Sequence, residues 1–396
     1  MHGCLEAPND MPSDDQNFTI ADNEYNEVHD VIIVGAGAAG IGVAISMVHS
    51  GVENFLLVDR EGVGASFAAW PSETRFITPS FPSNSIGMLD LNSVAIGVSP
   101  AFNMRIEHPT GQEFAEHLQG LADYFELPIR ENTNIVSLKK IDELFHLETE
   151  EGALIAKKVI WAAGEYQYPS QGAFSGSELC LHTSNVEAYC DLDGEDYLII
   201  GGYESGIDAA YHLSKNGKSV RVFDQNCPWG EESSDPSVAL STYTFERIQS
   251  VEFETNVELF GESTVQSITH DGTTYELKTE DGEVYQTENQ PLLANGFDGS
   301  HKFVSNLFEY RDDGFAELTE QDESTVTPGL FLAGPTVRHD NHIFCFIFKY
   351  RQRFAIVAQA IAESFGIPTD EFVAVYKGWG MYLDDLSCCG QECLTC

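Results

Sequence analysis

Two stretches of the chain carry the same succession of apolar, small and polar positions. Residues 31–59 read VIIVGAGAAGIGVAISMVHSGVENFLLVD, and residues 197–224 read YLIIGGYESGIDAAYHLSKNGKSVRVFD. Each begins with an unbroken apolar run, the mark of a strand covered on both faces. A Gly-rich turn follows, then a helix-length segment rich in small residues, a second apolar strand and a terminal Asp. Gly35 and Gly201 open the turns, 166 residues apart. Asp59 lies 24 residues past Gly35, and Asp224 lies 23 past Gly201. Strand, turn, helix, strand and acid at this spacing predict a dinucleotide-binding unit. Two such units predict two dinucleotides in one chain, and electron transfer between them.

The pattern between the units repeats as well. Residues 61–111 are rich in Pro, Ser and Gly and read as loops, and GQEFAEHLQGLADYFEL then has helical periodicity. Residues 134–164 alternate like a three-stranded meander, with turns at Ile141–Glu143 and Glu151–Gly152. Residues 262–296 do the same, with Asp-Gly turns at 271–272 and 281–282. One meander exits through VIWAAG and the other through LLANG. TPGLFLAGPTVRHDN then reads as a strand and turn. IFCFIFKY alternates like a strand but runs into RQRFAIVAQAIAESFG, so most of this segment is expected to be helix. The predicted class is α/β: two Rossmann-like dinucleotide-binding domains, three-layered, each with a β-meander, the second inserted in the first. The expected boundaries are an acidic tail at 1–27, a discontinuous first domain at 28–175 and 291–380, a second domain at 176–290, and a Cys-rich tail at 381–396.

Composition adds an environment. Asp and Glu number 63 against 20 Lys and Arg, a net charge of −43 spread through every element. Such a surface repels itself in dilute buffer. Salt near 1 M shortens the screening length to roughly 3 Å, so the chain reads as halophilic. Nucleic acid and anionic membrane are poor partners for it. The opening residues are polar and acidic, unlike a secretory leader. The longest apolar stretch, residues 342–362, is broken by Lys349, Arg351 and Arg353. A cytoplasmic enzyme is expected, with a homodimer among its allowed assemblies.

In the first turn Gly35 permits the tight bend, Gly37 lets a pyrophosphate approach the backbone, and Gly40 lets helix and strand pack closely. Ala38 and Ala39 begin the helix whose N–H groups face the phosphates. Asp59 stands where ribose hydroxyls are held. In the second turn, Gly201-Gly202-Tyr203-Glu204-Ser205-Gly206, Tyr203 replaces the middle glycine and should crowd a pyrophosphate unless the loop opens differently. Asp224, followed by Gln225-Asn226 and no Arg, favours NADH over NADPH, although high salt keeps NADPH open.

The whole arrangement, about residues 28–380, resembles the two-dinucleotide-binding-domain flavoproteins: thioredoxin-reductase-like enzymes, flavin monooxygenases and their relatives. The resemblance implies FAD on the first unit and NAD(P)H on the second. Trp161-Ala-Ala163-Gly164 looks like the motif that ends the meander beside the flavin, and Leu332-Ala-Gly334 like the late flavin motif. There Pro335 replaces the usual Asp, as in the bacillithiol-disulfide-reductase type, which also has a bulky residue at the place of Tyr203. Arg60 and Val136 join the implied cofactor contacts, and Arg338–Asn341 is expected at the flavin's pyrimidine edge. Trp70 resembles the Trp after the flavin loop of the monooxygenases, with core packing as the other reading. Arg75 is a phosphate or substrate contact or a surface ion pair. His182 resembles the His of a monooxygenase linker motif, but two residues late, and a backbone-satisfied His is the preferred reading. Cys345 is expected to be a small buried residue rather than a flavin-facing thiol.

Four of the nine Cys fall in the last nine residues, as Cys388-Cys389 and Cys393-x-x-Cys396. Adjacent Cα atoms lie about 3.8 Å apart, short of the roughly 4.4–6.8 Å of an ordinary disulfide. A Cys388–Cys389 bridge would therefore be readily reduced. The tail resembles the vicinal-cysteine tails of large thioredoxin reductases and mercuric reductases, which makes Cys388 and Cys389 candidate catalytic thiols. A thiolate site for a soft metal and an inert tail are the other readings. The expected activity is therefore an FAD-dependent NAD(P)H oxidoreductase acting on a disulfide or other small acceptor. The alternatives are an NAD(P)H monooxygenase and a non-catalytic flavin sensor or thiolate metal-binding protein.

Overall fold

The computed structural model describes residues 28–386, apart from 84–85, 173, 232 and 234. The expected acidic tail at 1–27 and the candidate thiols Cys388 and Cys389 lie outside the described residues.

Strand β1 (Val28–Val34) runs through the Gly-rich turn into helix α1 (Ala38–Ser50), and β2 (Phe55–Val58) lies parallel to β1, with Val31 opposite Phe55. Helix α1 is buried on nearly every side. Helix α2 (Gly111–Tyr124) starts from a capping box: the Thr110 hydroxyl accepts from the Glu113 N–H, and the Glu113 carboxylate accepts from the Thr110 N–H. It buries Phe114, Leu118 and Leu121 along one stripe. Strand β3 (Ile129–Arg130) extends the sheet beside β2. Strands β4 (Ser137–Ile141), β5 (Leu144–Glu148) and β6 (Ala153–Trp161) form the expected antiparallel meander. Strand β6 also pairs in parallel with β1, which ties the meander into the same sheet, ordered β3-β2-β1-β6-β5-β4.

The second unit has its own parallel sheet. Strand β7 (Leu181–His182) is followed by β8 (Asp196–Ile200), helix α3 (Glu204–Lys215) and β9 (Ser219–Phe223). After helix α4 (Thr242–Ile248) comes β10 (Val257–Phe260). Strands β11 (Val265–His270), β12 (Tyr275–Thr279) and β13 (Val284–Thr287) form a separate meander whose turns use Gly272 and Gly282 at positive φ. Strand β14 (Leu292–Leu293) completes the order β10-β9-β8-β14-β7.

The chain then returns to the first sheet. A hairpin of β15 (Glu309–Tyr310) and β16 (Ala316–Glu317) precedes β17 (Leu330–Leu332), which pairs with the last three residues of β6. A second hairpin, β18 (Arg338–His339) and β19 (His342–Ile343), leads to helix α5 (Ile347–Ser364) and then α6 (Asp370–Gly378). The strand-like start of the 342–350 segment is thus real for two residues, and helix begins at Ile347. Helix α5 docks on α1 at Gly42, where a Cβ would meet the Phe354 ring at 2.1 Å. Beneath the hairpin, Arg353 donates to both Asp322 oxygens at 2.9 and 3.0 Å, and His339 meets the same carboxylate at 2.5 Å. Asp322 is fully buried, so this pairing is what permits its charge there. No helix of the described residues is long and apolar enough to cross a membrane.

Candidate functional site

The two turns are built alike, bond for bond. Gly35 (φ +104°) donates its N–H to Val58 O at 2.7 Å, and Gly201 (φ +98°) donates to Phe223 O at 2.8 Å. A Cβ on Gly35 would stand 2.6 Å from Ala162 O, and one on Gly201 2.5 Å from Ala294 O, so each turn lies hard against its meander's exit. A Cβ on Gly40 or Gly206 would stand 1.7 or 1.8 Å from the carbonyl of the first glycine, which holds each helix close to its strand. Asp59 accepts from the Ala36 N–H at 2.7 Å and from Glu61 and Gly62 at 2.8 and 2.9 Å. Asp224 accepts from Gly202 at 2.6 Å and Asn226 at 2.8 Å. Each acid, expected only as a ribose acceptor, also pins its own turn.

A cavity of about 610 Å³ lies over the first turn. Gly37, Ala38, Ala39, Asp59 and Arg60 line one side, Ala163, Gly164 and Pro335 another. A Cβ on Gly37 would meet nothing within 4 Å, so the backbone there faces open space. The N–H groups of a first helical turn have no intrahelical acceptor, which leaves Ala38 and Ala39 suited to phosphate oxygens. A Cβ on Gly334 (φ +112°) would stand 3.1 Å from the Ala39 Cβ, so the late turn runs close beside the start of α1. Trp70 lines the cavity and also belongs to an aromatic cluster, its ring 5.0 Å from Phe76 and 5.3 Å from Phe67.

Several expectations are corrected. Val136 does not line the cavity: its side chain is half exposed, its N–H is taken by Glu148 O, and Thr133–Ile135 face inward instead. Arg338 is not among the lining residues either; its guanidinium lies over Phe315 at 4.1 Å and donates to Pro335 O and Val337 O at 2.8 Å. Arg75 lines the cavity but spends its side chain on His108 O at 3.3 Å and Glu113 at 3.9 Å. His182 sits in the junction between Ser184 Oγ at 2.7 Å and Gly296 O at 3.1 Å, the backbone-satisfied role. Cys345, expected to be merely buried, lines the cavity with its Sγ 3.1 Å from Ser237 Oγ, and burial pushes its thiol pKa up.

The second unit reaches the same cavity through Glu204, Ser205 and Asp208 at the start of α3, while Gly201, Gly202, Gly206 and Asp224 do not line it. The Glu204 carboxylate accepts from Ser241 N–H at 2.6 Å and Thr244 Oγ at 2.5 Å. Tyr203 sends its hydroxyl to Pro236 O at 2.5 Å and Ala239 O at 2.8 Å. The loop it meets is fastened to the first unit by Lys349, which donates to Asp235 at 2.7 Å and Ser237 at 2.7 Å. A Cβ on Gly202 would meet the Trp229 ring at 2.4 Å, so glycine there is required for that packing. Two further groups had no sequence signal. Glu165 lines the cavity, its carboxyl pKa raised by burial and only partly lowered by Arg338. Asp208 joins the units, accepting from Thr74 Oγ at 2.6 Å and from Arg247 at 2.5 Å.

A model of the family described as pyridine nucleotide-disulphide oxidoreductase matches residues 32–334. An uncharacterized CzcO-like oxidoreductase of Geobacillus kaustophilus is 30% identical over 192 residues, 47% of this chain and 52% of that protein. The chain spans about half the length of the curated relatives it matches. Bacillithiol disulfide reductase from Staphylococcus aureus has a similar structure, with TM-score 0.71 at 19% identity over 85% of this chain and 99% of that one. A flavin-containing monooxygenase from Stenotrophomonas maltophilia gives 0.65 at 14%, over 86% and 99%. At these identities the likeness to both structures is one of fold.

Proposed function

The chain belongs to the pyridine nucleotide-disulphide oxidoreductase family, and from that premise we propose that it is an FAD-dependent NAD(P)H oxidoreductase acting on a disulfide or another small acceptor. The observation that carries the reading is one cavity shared by the open first turn, the Ala163-Gly164 exit of the first meander, Pro335 of the late turn and the start of α3. The first unit fits FAD: the space over Gly37 is open, and Asp59 holds the turn in shape. The second unit fits NAD(P)H once Tyr203 moves, and its Asp224 without a following Arg favours NADH. When bound, the flavin supplies hydride acceptance from nicotinamide and electron delivery to the acceptor.

The chain's own residues supply orientation, dryness and protons. Trp70 and Phe76 wall the cavity with apolar surface. Thr74, through Asp208, fixes α3 against that wall. Burial keeps the Glu165 carboxyl and the Cys345 thiol inclined to hold their protons, which suits donation to an acceptor rather than nucleophilic attack. Cys345 is the one cysteine lining the cavity among the described residues. We propose Cys388 and Cys389 as the thiols that relay electrons from the cavity to the acceptor. The lack of a second cavity thiol among the described residues also favours the monooxygenase reading. We take the enzyme to be cytoplasmic, suited to concentrated salt, and a homodimer. NADH-driven disulfide turnover that falls in a C388S/C389S variant supports the reductase reading. A product carrying oxygen from labelled O₂, with disulfide turnover absent, supports the monooxygenase.

A further inference from the structure

Between Arg75 and Arg105 the sequence carries a single charged residue, Asp90, in a chain where 83 of 396 residues are charged. Asp90 is buried, its carboxylate accepting from Asn92 N–H at 3.0 Å and Ala101 N–H at 3.0 Å, while Arg351 donates to its carbonyl. The surface of this segment therefore bears no charge of its own. It bears large apolar side chains instead. Phe81 is 51% exposed, Ile86 73%, Met88 61%, Leu91 37% and Phe102 75%, and Tyr124 of α2 adds 79%. Several of them adjoin. Phe102 and Tyr124 line one groove with Pro82, and Ser83 Oγ lies within hydrogen-bond distance of both Phe81 O and Met88 O.

Taking roughly 200 Å² per side chain, a figure for aromatics and an upper one for Ile, Met and Leu, the exposed fractions come to at most roughly 750 Å². That upper figure exceeds the roughly 300–600 Å² of the largest apolar patch on an ordinary monomer. It approaches the roughly 800 Å² per partner of a standard interface. We infer that this face, residues 81–83 and 86–102 with the adjoining end of α2, is the interface between two copies of the chain. The argument for a second copy is charge. A partner meeting a surface of −43 elsewhere must desolvate or oppose acids. Two copies joined through this face bury none of them except at the rim, where Glu113 and Glu116 line the groove. Away from that rim the exposed side chains are mainly apolar, so the patch complements itself across a two-fold axis. An anionic membrane would have to approach against the same charge.

This inference rests on the homodimer in the proposed function and names its interface. Light scattering after size exclusion in about 2 M KCl, with the chain as purified with its flavin, is the test. The wild type is expected at twice the chain mass, and Phe102→Asp and Met88→Asp at the single mass with unchanged flavin content. Val251→Asp, at an equally exposed apolar residue of the second unit, is expected to stay at twice the mass. A monomeric wild type overturns both the dimer and the face, and binding of that monomer to vesicles would assign the face to a membrane. A dimer indifferent to both face substitutions overturns the face alone. NADH reduction of the flavin, read on the same samples, keeps the redox reading separate.

Discussion

Replacing Tyr203 by Phe removes one hydroxyl and should make the second nucleotide site easier to fill. The first turn shows the position open: a Cβ on Gly37 would meet nothing within 4 Å. Tyr203 caps α3 with nearly the backbone of Gly37, φ −86° and ψ −163° against −79° and −169°. Its side chain therefore leaves toward the space a pyrophosphate would take, and a dinucleotide must displace it. The phenol is latched by two carbonyls, Pro236 O and Ala239 O, but has one proton to donate. Such a bond is worth about 0.5–1.5 kcal/mol net. If the latched form dominates, apparent affinity falls by the open fraction. Tyr203→Phe should then lower the Kd for NADH about 2- to 10-fold at unchanged limiting rate. Tyr203→Gly should lower it further, less the backbone entropy a glycine adds, about 0.5–1 kcal/mol. Anaerobic stopped-flow bleaching of the flavin against NADH concentration gives both constants. An unchanged or weaker Kd in Tyr203→Phe would refute the latch and make the hydroxyl part of the binding surface.

Other expectations follow from the same geometry. Gly40→Ala places a Cβ 1.7 Å from Gly35 O, so flavin content per chain should drop sharply while Gly120→Ala, whose added Cβ meets nothing within 4 Å, leaves it intact; absorbance after desalting reads this. Arg353→Met strands the buried Asp322 charge and should cost about 3–5 kcal/mol, visible in urea melts, with Arg353→Met/Asp322→Leu recovering part of it. Burial alone would raise the Asp208 pKa, but hydrogen bonding to His212, the Arg247 charge and the Thr74 hydroxyl bring it to about 2 from 3.8. A depressed carboxylate stabilises above its unfolded pKa and loses that contribution as pH falls through the folded value. The junction between the units should therefore weaken between about pH 4 and 2, and Asp208→Asn should flatten that limb of the stability–pH curve.

What was legible in the sequence is what glycine spacing records. Gly35, Gly40, Gly201 and Gly206 are each required by a backbone contact under 3 Å, and those contacts lie within one strand–turn–helix unit or against its exit. The two meanders were legible because alternation and Asp-Gly turns are local too. Val136 was not: it lies in the irregular stretch just before β4, where the three preceding residues, Thr133–Ile135, line the cavity and its own N–H is taken by Glu148 O. The rest of the site depends on distant partners. Cys345 meets Ser237 across 108 residues, and Thr74 meets Asp208 across 134. Glu165 has no pattern at all; its environment comes from the cavity and from Arg338. The loops at 61–111 predicted no pairing, so neither the Trp70 wall nor the apolar face could be read before the fold placed them.

The central claim is that the two unequal turns hold a flavin and a nicotinamide dinucleotide that exchange electrons across one cavity. Anaerobic titration of the flavin-loaded chain in about 2 M KCl, with NADH and then with NADPH, tests it most directly. The account predicts full bleaching at one equivalent of nicotinamide per flavin, at lower concentrations of NADH than of NADPH. Flavin that stays oxidised with both would contradict it and leave the second unit a structural copy of the first.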